Sequence, residues 1–354
     1  MQGNLFRKAF LYPTSNCNLS CRLCYAKETL NKSFDYENHL EKYKSLIDRL
    51  IAAGVSDFDI SGGEPLLYPY IFEFLAYILN KDSSVTMVTN GTLLTRVENE
   101  SDISVIKRLT ELHVSIDDAS AAVHDRYRGR QGAFDKAVRG LTYLRNLGAE
   151  NLCINTIMFS ENCSKACEML NFAKTIGVRK ICLLRLLDLH NSSDQKHSLT
   201  EKQIHTLLSD ILTWISVNKS SMNDQFTVEL TLPGTAYEIV TEQYNLRLHN
   251  TFGKVTLDII FDPFRGCNAF RKNIVISSEG EATGCTCMLG DPKWQVGNVF
   301  DLELETIRDR FDIAYQNIKD CKNSVCSGCA HARVCRGGCP VVPCKTENCV
   351  GENS

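Results

Sequence analysis

The sequence has 354 residues, of which 44% are hydrophobic and 23% are charged, a composition that is ordinary for a globular protein of roughly two domains. Its net charge of −3 and its pI of about 6.3 give no indication of a nucleic-acid or anionic-membrane partner. No apolar run approaches the ~18 residues of a membrane span, and the first ten residues lack the apolar stretch of a signal peptide. We therefore expect a cytoplasmic protein that binds neither nucleic acid nor membrane.

The first 190 residues alternate predicted strands and helices, beginning with a short apolar run at 10–12. Apolar patterns predict further strands at 57–60, 85–88, 112–116, 152–157 and 181–187, and helical spacing predicts helices at 40–51, 71–78, 137–144 and 166–173. Six strands that alternate with helices imply a mainly parallel sheet with right-handed crossovers, enough to close part of a barrel. Active sites in such sheets lie at the carboxyl ends of the strands.

The following segment, residues 191–260, has a different character. It opens with a polar stretch, continues with a helix that Thr200 and Gln203 start as a predicted capping box, and contains a predicted strand at 226–232. From about Phe261 the chain is rich in cysteine and glycine, and metal clusters would substitute there for a large apolar core. The predicted organisation is an α/β partial (β/α)6 barrel at 1–190, a bridging region at 191–260 and a cysteine-rich domain at 261–354.

Cysteine is the anomalous residue, with seventeen copies in the chain. In a reducing cytosol these thiols are not expected to form disulfides, which leaves metal or thiol chemistry. Three lie at 17–24, ten lie between Cys267 and Cys349, and four fall between these groups. The distribution predicts two metal-binding regions that flank a cysteine-poor middle.

The first three cysteines, Cys17, Cys21 and Cys24, have the spacing C-x3-C-x2-C directly after the first predicted strand. Three thiolates on one short loop can hold three corners of a cubic iron–sulfur cluster, which leaves the fourth iron open to a reactive ligand. A structural zinc site is the alternative, but it wants four ligands, usually in paired C-x2-C steps. The spacing resembles the signature of the radical S-adenosylmethionine (SAM) enzymes, although Leu23 stands where that family usually has an aromatic residue and Tyr25 follows.

Later segments resemble other motifs of the same family, in the same order. Residues 62–65 read Gly-Gly-Glu-Pro, which alone predicts a tight turn and which resembles the GGEP motif that holds the amino group of SAM. Residues 87–92 resemble the next turn of the family. Ser115 and Asp117 could be a helix N-cap and a turn residue, but the matching positions in the family bind the ribose hydroxyls of SAM. The resemblance also offers Asn155 as a contact of the nucleoside.

An arginine is expected to complete the SAM site. Arg128 could pair with the SAM carboxylate as a bidentate fork, and Arg126 and Arg130 are nearby alternatives. Taken together, the resemblance assigns SAM contacts to Tyr25, Gly62, Gly63, Glu64, Pro65, Asn90, Ser115, Asp117 and Arg128.

The C-terminal cysteines resemble the SPASM extension of radical SAM enzymes, which carries two auxiliary [4Fe–4S] clusters. The matching pattern joins Cys267, Gly280 and Cys285 to the run Cys326-x2-Cys329-x5-Cys335-x3-Cys339, with Cys344 and Cys349 after it. A zinc ribbon would use only four cysteines. The resemblance assigns Cys267, Cys285 and Cys339 to the first auxiliary cluster, and Cys326, Cys329 and Cys335, with Cys349 or Cys344, to the second.

The fourth ligand of the first auxiliary cluster stays open in the sequence. Some family members have a cysteine six residues after the first, where this chain has Asn273, so Cys287 or Cys321 could serve, or the site could be open. Of the middle cysteines, Cys153 and Cys182 lie in apolar strands and are expected to be small core residues, with a hydrogen-donor role for Cys182 as the alternative. Cys163 and Cys167 are expected to be ordinary side chains on one helix face.

The function that the resemblance implies is reductive cleavage of SAM, followed by abstraction of a substrate hydrogen atom by the 5′-deoxyadenosyl radical, with a flavodoxin- or ferredoxin-type protein as reductant. The leading prediction is modification of a ribosomally made peptide by a crosslink, a thioether or epimerisation. About nine residues precede the first strand, so no N-terminal leader-recognition domain is expected, and oxidation or epimerisation of a sugar or aminocyclitol is the alternative. Anaerobic sulfatase maturation is disfavoured because Thr286 stands where those enzymes have an aspartate. A simple electron carrier would have no use for the motif at 62–65.

Overall fold

The computed structural model describes residues 6–32, 36–186, 199–222, 224–261 and 269–325. The chain divides into two compact units. The first comprises Met1–Val114, Asp125–Asn151 and Asn268–Lys319, and the second comprises Ser115–His124, Leu152–Cys267 and Asp320–Ser354. The predicted boundaries at 190 and 260 stay a prediction.

The described chain contains twelve strands, and α-helices separate consecutive strands from β1 to β7. The strands are β1 (Lys8–Leu11), β2 (Asp57–Ile60), β3 (Ser84–Thr89), β4 (Glu111–Ser115), β5 (Leu152–Met158), β6 (Lys180–Arg185), β7 (Phe226–Leu232), β8 (His249–Phe252), β9 (Val255–Phe261), β10 (Asn273–Ile276), β11 (Glu281–Thr283) and β12 (Gly297–Asn298). The helices are α1 (His39–Ala52), α2 (Ile71–Leu79), α3 (Glu100–Arg108), α4 (Ala121–Arg128), α5 (Ala133–Asn146), α6 (Ala166–Ile176), α7 (Glu201–Asn218) and α8 (Leu304–Val325).

The sheet of the first unit has the strand order β12-β11-β10-β1-β2-β3-β4. The four strands β1 to β4 are parallel, as the alternating pattern predicts, and β10 lies parallel to β1 on its other side, with Phe10 opposite Val275. The hairpin strands β11 and β12 extend this edge in antiparallel fashion. Strand β1 is therefore flanked on both sides, by β2 and by a strand from the last third of the sequence.

The C-terminal segment of the first unit is bound to α1 by side-chain hydrogen bonds to its backbone. The imidazole Nε2 of the buried His39 lies 2.8 Å from the carbonyl oxygen of Ser278, and Tyr43 donates its hydroxyl hydrogen bond to Ser277 at 2.9 Å. Arg49 donates to two further carbonyl groups, those of Val299 and Leu302. These bonds fix the turn after β10, and the chain then continues from this turn to Cys285.

The strands of the second unit follow the order β5-β6-β7-β9-β8. Strands β5, β6, β7 and β9 are parallel, and β8 is antiparallel to β9. The region that the sequence pattern predicted as a bridge thus contributes strands to the parallel sheet itself. Helix α7 begins with the predicted capping box, in which Thr200 accepts from the backbone N–H of Gln203. Among the described helices, none is long and apolar enough to cross a membrane.

Candidate functional site

The loop that follows β1 carries Cys17, Cys21 and Cys24, and all three thiols are free and partly exposed. Hydrogen bonds inside the segment shape the loop. The backbone N–H of Cys17 donates to Oδ1 of Asn31 at 2.8 Å, and the N–H of Asn16 donates to Oγ1 of Thr14 at 3.1 Å. Hydrogen bonds to Thr14, which precedes Cys17 in sequence, and to Asn31, which follows it, therefore position this cysteine without a metal.

The two glycines after β2 bring the chain against this loop. The N–H of Gly63 donates to the carbonyl oxygen of Thr14 at 2.9 Å, and the N–H of Glu64 donates to that of Asn16 at 2.7 Å. A Cβ at Gly62 would lie 2.5 Å from the Thr14 oxygen, and a Cβ at Gly63 would lie 2.2 Å from the Asn16 oxygen. Glycine is therefore required at both positions because the backbone lies so close to the cysteine loop. Contact of both glycines with SAM stays a prediction.

Glu64 is completely buried and its carboxylate accepts three hydrogen bonds from the chain. Oε1 accepts from the Thr89 hydroxyl at 2.6 Å and from the backbone N–H of Leu66 at 3.1 Å, and Oε2 accepts from the N–H of Asn90 at 2.8 Å. Burial raises the pKa of this carboxyl, and the three donors oppose that shift. Glu64 therefore ties the end of β2 to the end of β3, and the buried Pro65 beside it begins a short 3-10 turn.

Asn18 and Asn90 connect the cysteine loop to the turn after β3. Nδ2 of Asn90 donates to Oδ1 of Asn18 at 2.9 Å, and Nδ2 of Asn18 donates to the Thr92 hydroxyl at 2.9 Å. The amide of the predicted SAM contact Asn90 is thus engaged in positioning the loop. Sequence reasoning missed Asn18, whose only signal was an amide side chain between two cysteines.

A third segment, residues 127–130 at the end of α4, closes on the cysteine loop. The N–H of Arg22 donates to the Tyr127 carbonyl at 2.8 Å, and the Ser20 hydroxyl donates to the Gly129 carbonyl at 3.1 Å. Nη1 of Arg128 donates to Sγ of Cys21 at 3.9 Å. This contact brings the predicted carboxylate-binding guanidinium beside the cluster thiols.

The other two arginines of this segment have different neighbours. Arg130 donates to the carbonyl oxygen of Asn18 at 2.6 Å, and Arg126 is exposed and stacks over the ring of Tyr127. Of the three candidates, Arg128 is therefore the one whose guanidinium contacts a cysteine. Tyr25, the aromatic residue after Cys24, exposes 44% of its surface while its hydroxyl lies 2.9 Å from that of Tyr12.

The chemistry of the three thiols fits an iron cluster. Burial raises the pKa of Cys17 to about 11 and also raises the pKa of Cys24, and the neighbouring thiols and Glu64 add to the shift of Cys17. A metal that binds these cysteines as thiolates must therefore displace their protons. Three soft sulfur ligands on one loop are a donor set for iron–sulfur clusters.

The predicted ribose contacts lie in the second unit. Asp117 is buried, its Oδ1 accepts from the N–H of Ile157 at 3.2 Å, and its own N–H donates to Nδ1 of His124 at 3.3 Å. Ser115 and Asn155 are partly exposed. The carboxylate of Asp117 thus has a described partner on β5, and its contact with SAM stays a prediction.

The four middle cysteines lie in the second unit, and their structural role stays a prediction. Cys153 and Cys182 are buried in β5 and β6, as small core residues would be. Cys163 and Cys167 do not share one helix, because Cys163 lies in the short 3-10 turn that precedes α6. Sγ of Cys167 donates to the carbonyl oxygen of Asp210 at 3.3 Å, which joins α6 to α7.

Only part of the second cysteine group can be placed. Cys285 and Cys287 are partly exposed thiols after β11. Burial raises the pKa of Tyr12 well above its ordinary value, and Tyr25 and the charges of these two thiols add to the shift. Gly280 has a left-handed φ of 86°, in the turn between β10 and β11. The predicted ligands Cys267, Cys326, Cys329, Cys335, Cys339 and Cys349, and the alternative Cys344, lie outside the described residues. The side chain of Cys321 does too.

Comparison with known proteins agrees with this geometry. A family model described as the radical SAM superfamily matches residues 11–173. The AdoMet-dependent heme synthase of Nitratidesulfovibrio vulgaris is 32% identical over 165 residues, which are 46% of this chain and 44% of that protein. The mycofactocin maturase MftC of Mycolicibacterium smegmatis is 25% identical over 335 residues, 92% of this chain and 76% of that protein. The chain spans about half the length of the first curated relatives that it matches.

Solved structures match over more of the chain. Streptococcus suis SuiB bound to S-adenosylmethionine is 20% identical, with a TM-score of 0.71 over 95% of this chain and 73% of SuiB. SuiB bound to the precursor peptide SuiA is 19% identical, with a TM-score of 0.72 over 95% of this chain and 72% of SuiB. These values show that the fold is shared and confirm the predicted α/β class. Residues 11–173 thus match the radical SAM superfamily, as their motifs predicted, and the C-terminal SPASM extension stays a prediction.

Proposed function

We propose that the chain is an enzyme that cleaves SAM reductively and uses the resulting radical on a ribosomally made peptide. The match of residues 11–173 to the radical SAM superfamily supports a [4Fe–4S] cluster and SAM as cofactors. The observation that carries the proposal is the packing of the cysteine loop. Three separate segments are hydrogen-bonded to this loop, and one of them places Arg128 against Cys21. When bound, the cluster supplies one electron to the sulfonium of SAM, which breaks a carbon–sulfur bond and yields the radical.

The chain's own residues then have two tasks, positioning and binding. Cys17, Cys21 and Cys24 are the proposed cluster ligands. The guanidinium of Arg128 is the proposed partner of the SAM carboxylate, because a planar fork of donors suits that group. The remaining proposed SAM contacts are Tyr25, Gly62, Gly63, Glu64, Pro65, Asn90, Ser115 and Asp117. Of these, Asn90 positions the cysteine loop directly through its hydrogen bond to Asn18. Glu64 does so indirectly, because its carboxylate is bonded to Thr89 and Asn90.

The test of SAM cleavage uses protein reconstituted with iron and sulfide under anaerobic conditions. With SAM and dithionite, the wild-type protein should form 5′-deoxyadenosine and methionine, whereas a Cys21→Ala variant should not. A Cys153→Ala variant is the matched control, because that thiol is buried in the core. Cleavage that survives in Cys21→Ala would refute the proposed ligand set.

A peptide is the proposed substrate because two similar proteins point to peptides. MftC is named as a mycofactocin maturase and covers 92% of this chain, and SuiB, which has the same fold, was crystallised with a precursor peptide. Co-expression with a short open reading frame from the same genomic neighbourhood, followed by mass spectrometry, should show a mass change or a change in stereochemistry. An unmodified peptide together with active SAM cleavage would contradict the peptide proposal.

A small-molecule substrate is the second candidate, and one observation favours it. Two proteins named as AdoMet-dependent heme synthases are 32% and 33% identical to this chain, but each match covers only 46% of it. Oxidation or epimerisation of a small molecule would leave the peptide unchanged in the same co-expression experiment. Consumption of a small molecule from a cell extract, dependent on SAM and on Cys21, would then identify this candidate. Sulfatase maturation predicts instead a formylglycine in a sulfatase-derived peptide.

Two auxiliary [4Fe–4S] clusters are also proposed. Cys267, Cys285 and Cys339 would hold the first, with Cys287 or Cys321 as fourth ligand or with an open iron. Cys326, Cys329 and Cys335 would hold the second, with Cys349 or Cys344. Iron analysis should then give about twelve iron atoms per chain, four per cluster. A Cys329→Ala variant should lose about a third of the iron and all substrate turnover, but should still cleave SAM.

A further inference from the structure

A basic cavity lies beside the cysteine loop in the first unit. Its volume is about 270 Å3, and its walls come from the cysteine loop, the turn after β3 and the start of α5. Four of the nine lining side chains are cationic, although the whole chain carries a net charge of −3. The lining cations are Arg96, Arg130, Lys136 and Arg139.

Close packing fixes the walls of the basic cavity. Helix α5 approaches the turn after β3 at Gly140, where an added Cβ would lie 2.7 Å from Cβ of Leu94. The Tyr143 hydroxyl donates to the carbonyl oxygen of Val97 at 3.0 Å, and Arg130 donates to the carbonyl oxygen of Asn18 at 2.6 Å. The cations are therefore presented by elements that are already joined to each other and to the cysteine loop.

The positive charge of the cavity is not neutralised from within. Arg96, Lys136 and Arg139 are exposed, and none of them has a carboxylate within 4.0 Å among the described residues, although Asp135 precedes Lys136 in the same turn of α5. An anionic partner would meet three cations without first breaking an ion pair. Such a patch attracts acidic proteins and raises their rate of association at low ionic strength.

We propose that the basic cavity is the docking site of a small acidic one-electron carrier protein of the flavodoxin or ferredoxin type. This inference rests on the proposed function, in which the cluster must be reduced from outside. The carrier loses one electron and the cluster gains it, so no other reductant is needed. The cavity reaches the backbone of Asn18, the residue after Cys17, and a carrier docked there lies beside the loop that holds the cluster. Contacts of electron carriers are small and electrostatic, which a cavity with four cations fits.

Binding is the first readout, because it does not depend on catalysis. The reconstituted protein is titrated with flavodoxin and, separately, with a [2Fe–2S] ferredoxin at low and high salt. The wild-type protein should bind at least one carrier, and its Kd should rise with salt. The triple variant Arg96→Glu, Lys136→Glu and Arg139→Glu should raise that Kd about tenfold or more, and Lys136→Glu alone about threefold. Lys107→Glu is the matched control. Lys107 lies in α3, which leads into the amino end of β4, whereas the cysteine loop follows the carboxyl end of β1 at the opposite edge of the sheet.

Electron transfer is the second readout. Bleaching of the cluster absorbance by the reduced carrier should slow in the triple variant about as much as binding weakens, whereas bleaching by dithionite should stay within about twofold of wild type. Normal dithionite bleaching also shows that the variant is folded. The inference fails if the triple variant binds and accepts electrons as wild type does, or if the wild-type protein binds neither carrier. It also fails if the variant loses affinity only for an acidic precursor peptide. Absence of SAM cleavage with dithionite would refute the proposed function, and both carrier readouts would still test the cavity.

Discussion

The contact between Gly63 and the cysteine loop makes Gly63→Ala the most informative single substitution. The new methyl group would lie 2.2 Å from the Asn16 carbonyl oxygen and 2.6 Å from that of Ser15. Real Cβ contacts do not fall below 3.0 Å, so the oxygen of Asn16 must move by at least 0.8 Å. The movement breaks or stretches the backbone bonds at Thr14 and Asn16. Overpacking costs about 1–3 kcal/mol and each lost hydrogen bond costs about 1 kcal/mol, so the free energy of unfolding should fall by about 3 kcal/mol.

Thermal unfolding and iron content together measure this effect. A loss of about 3 kcal/mol should lower the Tm by roughly 5 °C, and the displaced loop should retain less iron after reconstitution. The control is Gly148→Ala just after α5, where the left-handed φ of 84° is unfavourable for alanine but the nearest atom to a new Cβ is Nζ of Lys107 at 3.9 Å. That variant should lose about 1 kcal/mol and no iron. A Gly63→Ala protein with wild-type Tm and full iron would refute the steric argument.

Three further predictions concern other parts of the chain. Cys21→Ala should reduce formation of 5′-deoxyadenosine to background, measured by chromatography after incubation with SAM and dithionite. Burial lowers the pKa of His39 from 6.5, so His39 binds a proton more tightly in the unfolded chain than in the folded protein. The folded protein therefore loses stability as the pH falls below about 6.5, and His39→Gln should remove this part of the slope of Tm against pH. Thr200→Ala removes the cap of α7 and should cost about 1 kcal/mol in denaturant unfolding, whereas Thr206→Ala in the middle of the helix should cost less.

The sequence predicted the parts of the fold that local patterns encode. The strand at 226–232, the capping box at Thr200 and the parallel alternation of the first strands are all confirmed. These features depend on residues close together in sequence, so periodicity and cap chemistry are sufficient. The pairing of β10 with β1 was not predictable in this way, since nothing in a four-residue apolar run states which strand it will join.

The candidate site shows the same division. The motif at 62–65 drew attention to a segment that contacts the cysteine loop, but it did not reveal that the glycines are needed for this contact or that Glu64 is bonded to Thr89 and Asn90. Such roles depend on three-dimensional neighbours that no local pattern contains. The basic cavity was equally hidden, because its cations are spread over more than forty positions and the net charge of the chain is slightly negative.

The place of β10 in the sheet has a consequence for how the protein is made. Val275 pairs beside Phe10, 265 positions away, and β1 gains its second neighbour only when this late segment has left the ribosome. Contacts of such sequence separation form slowly, because a long loop must close first. We expect β1 to keep one unpaired edge during most of synthesis, although the segments at 62–64, 90–92 and 127–130 that hold the cysteine loop are made much earlier.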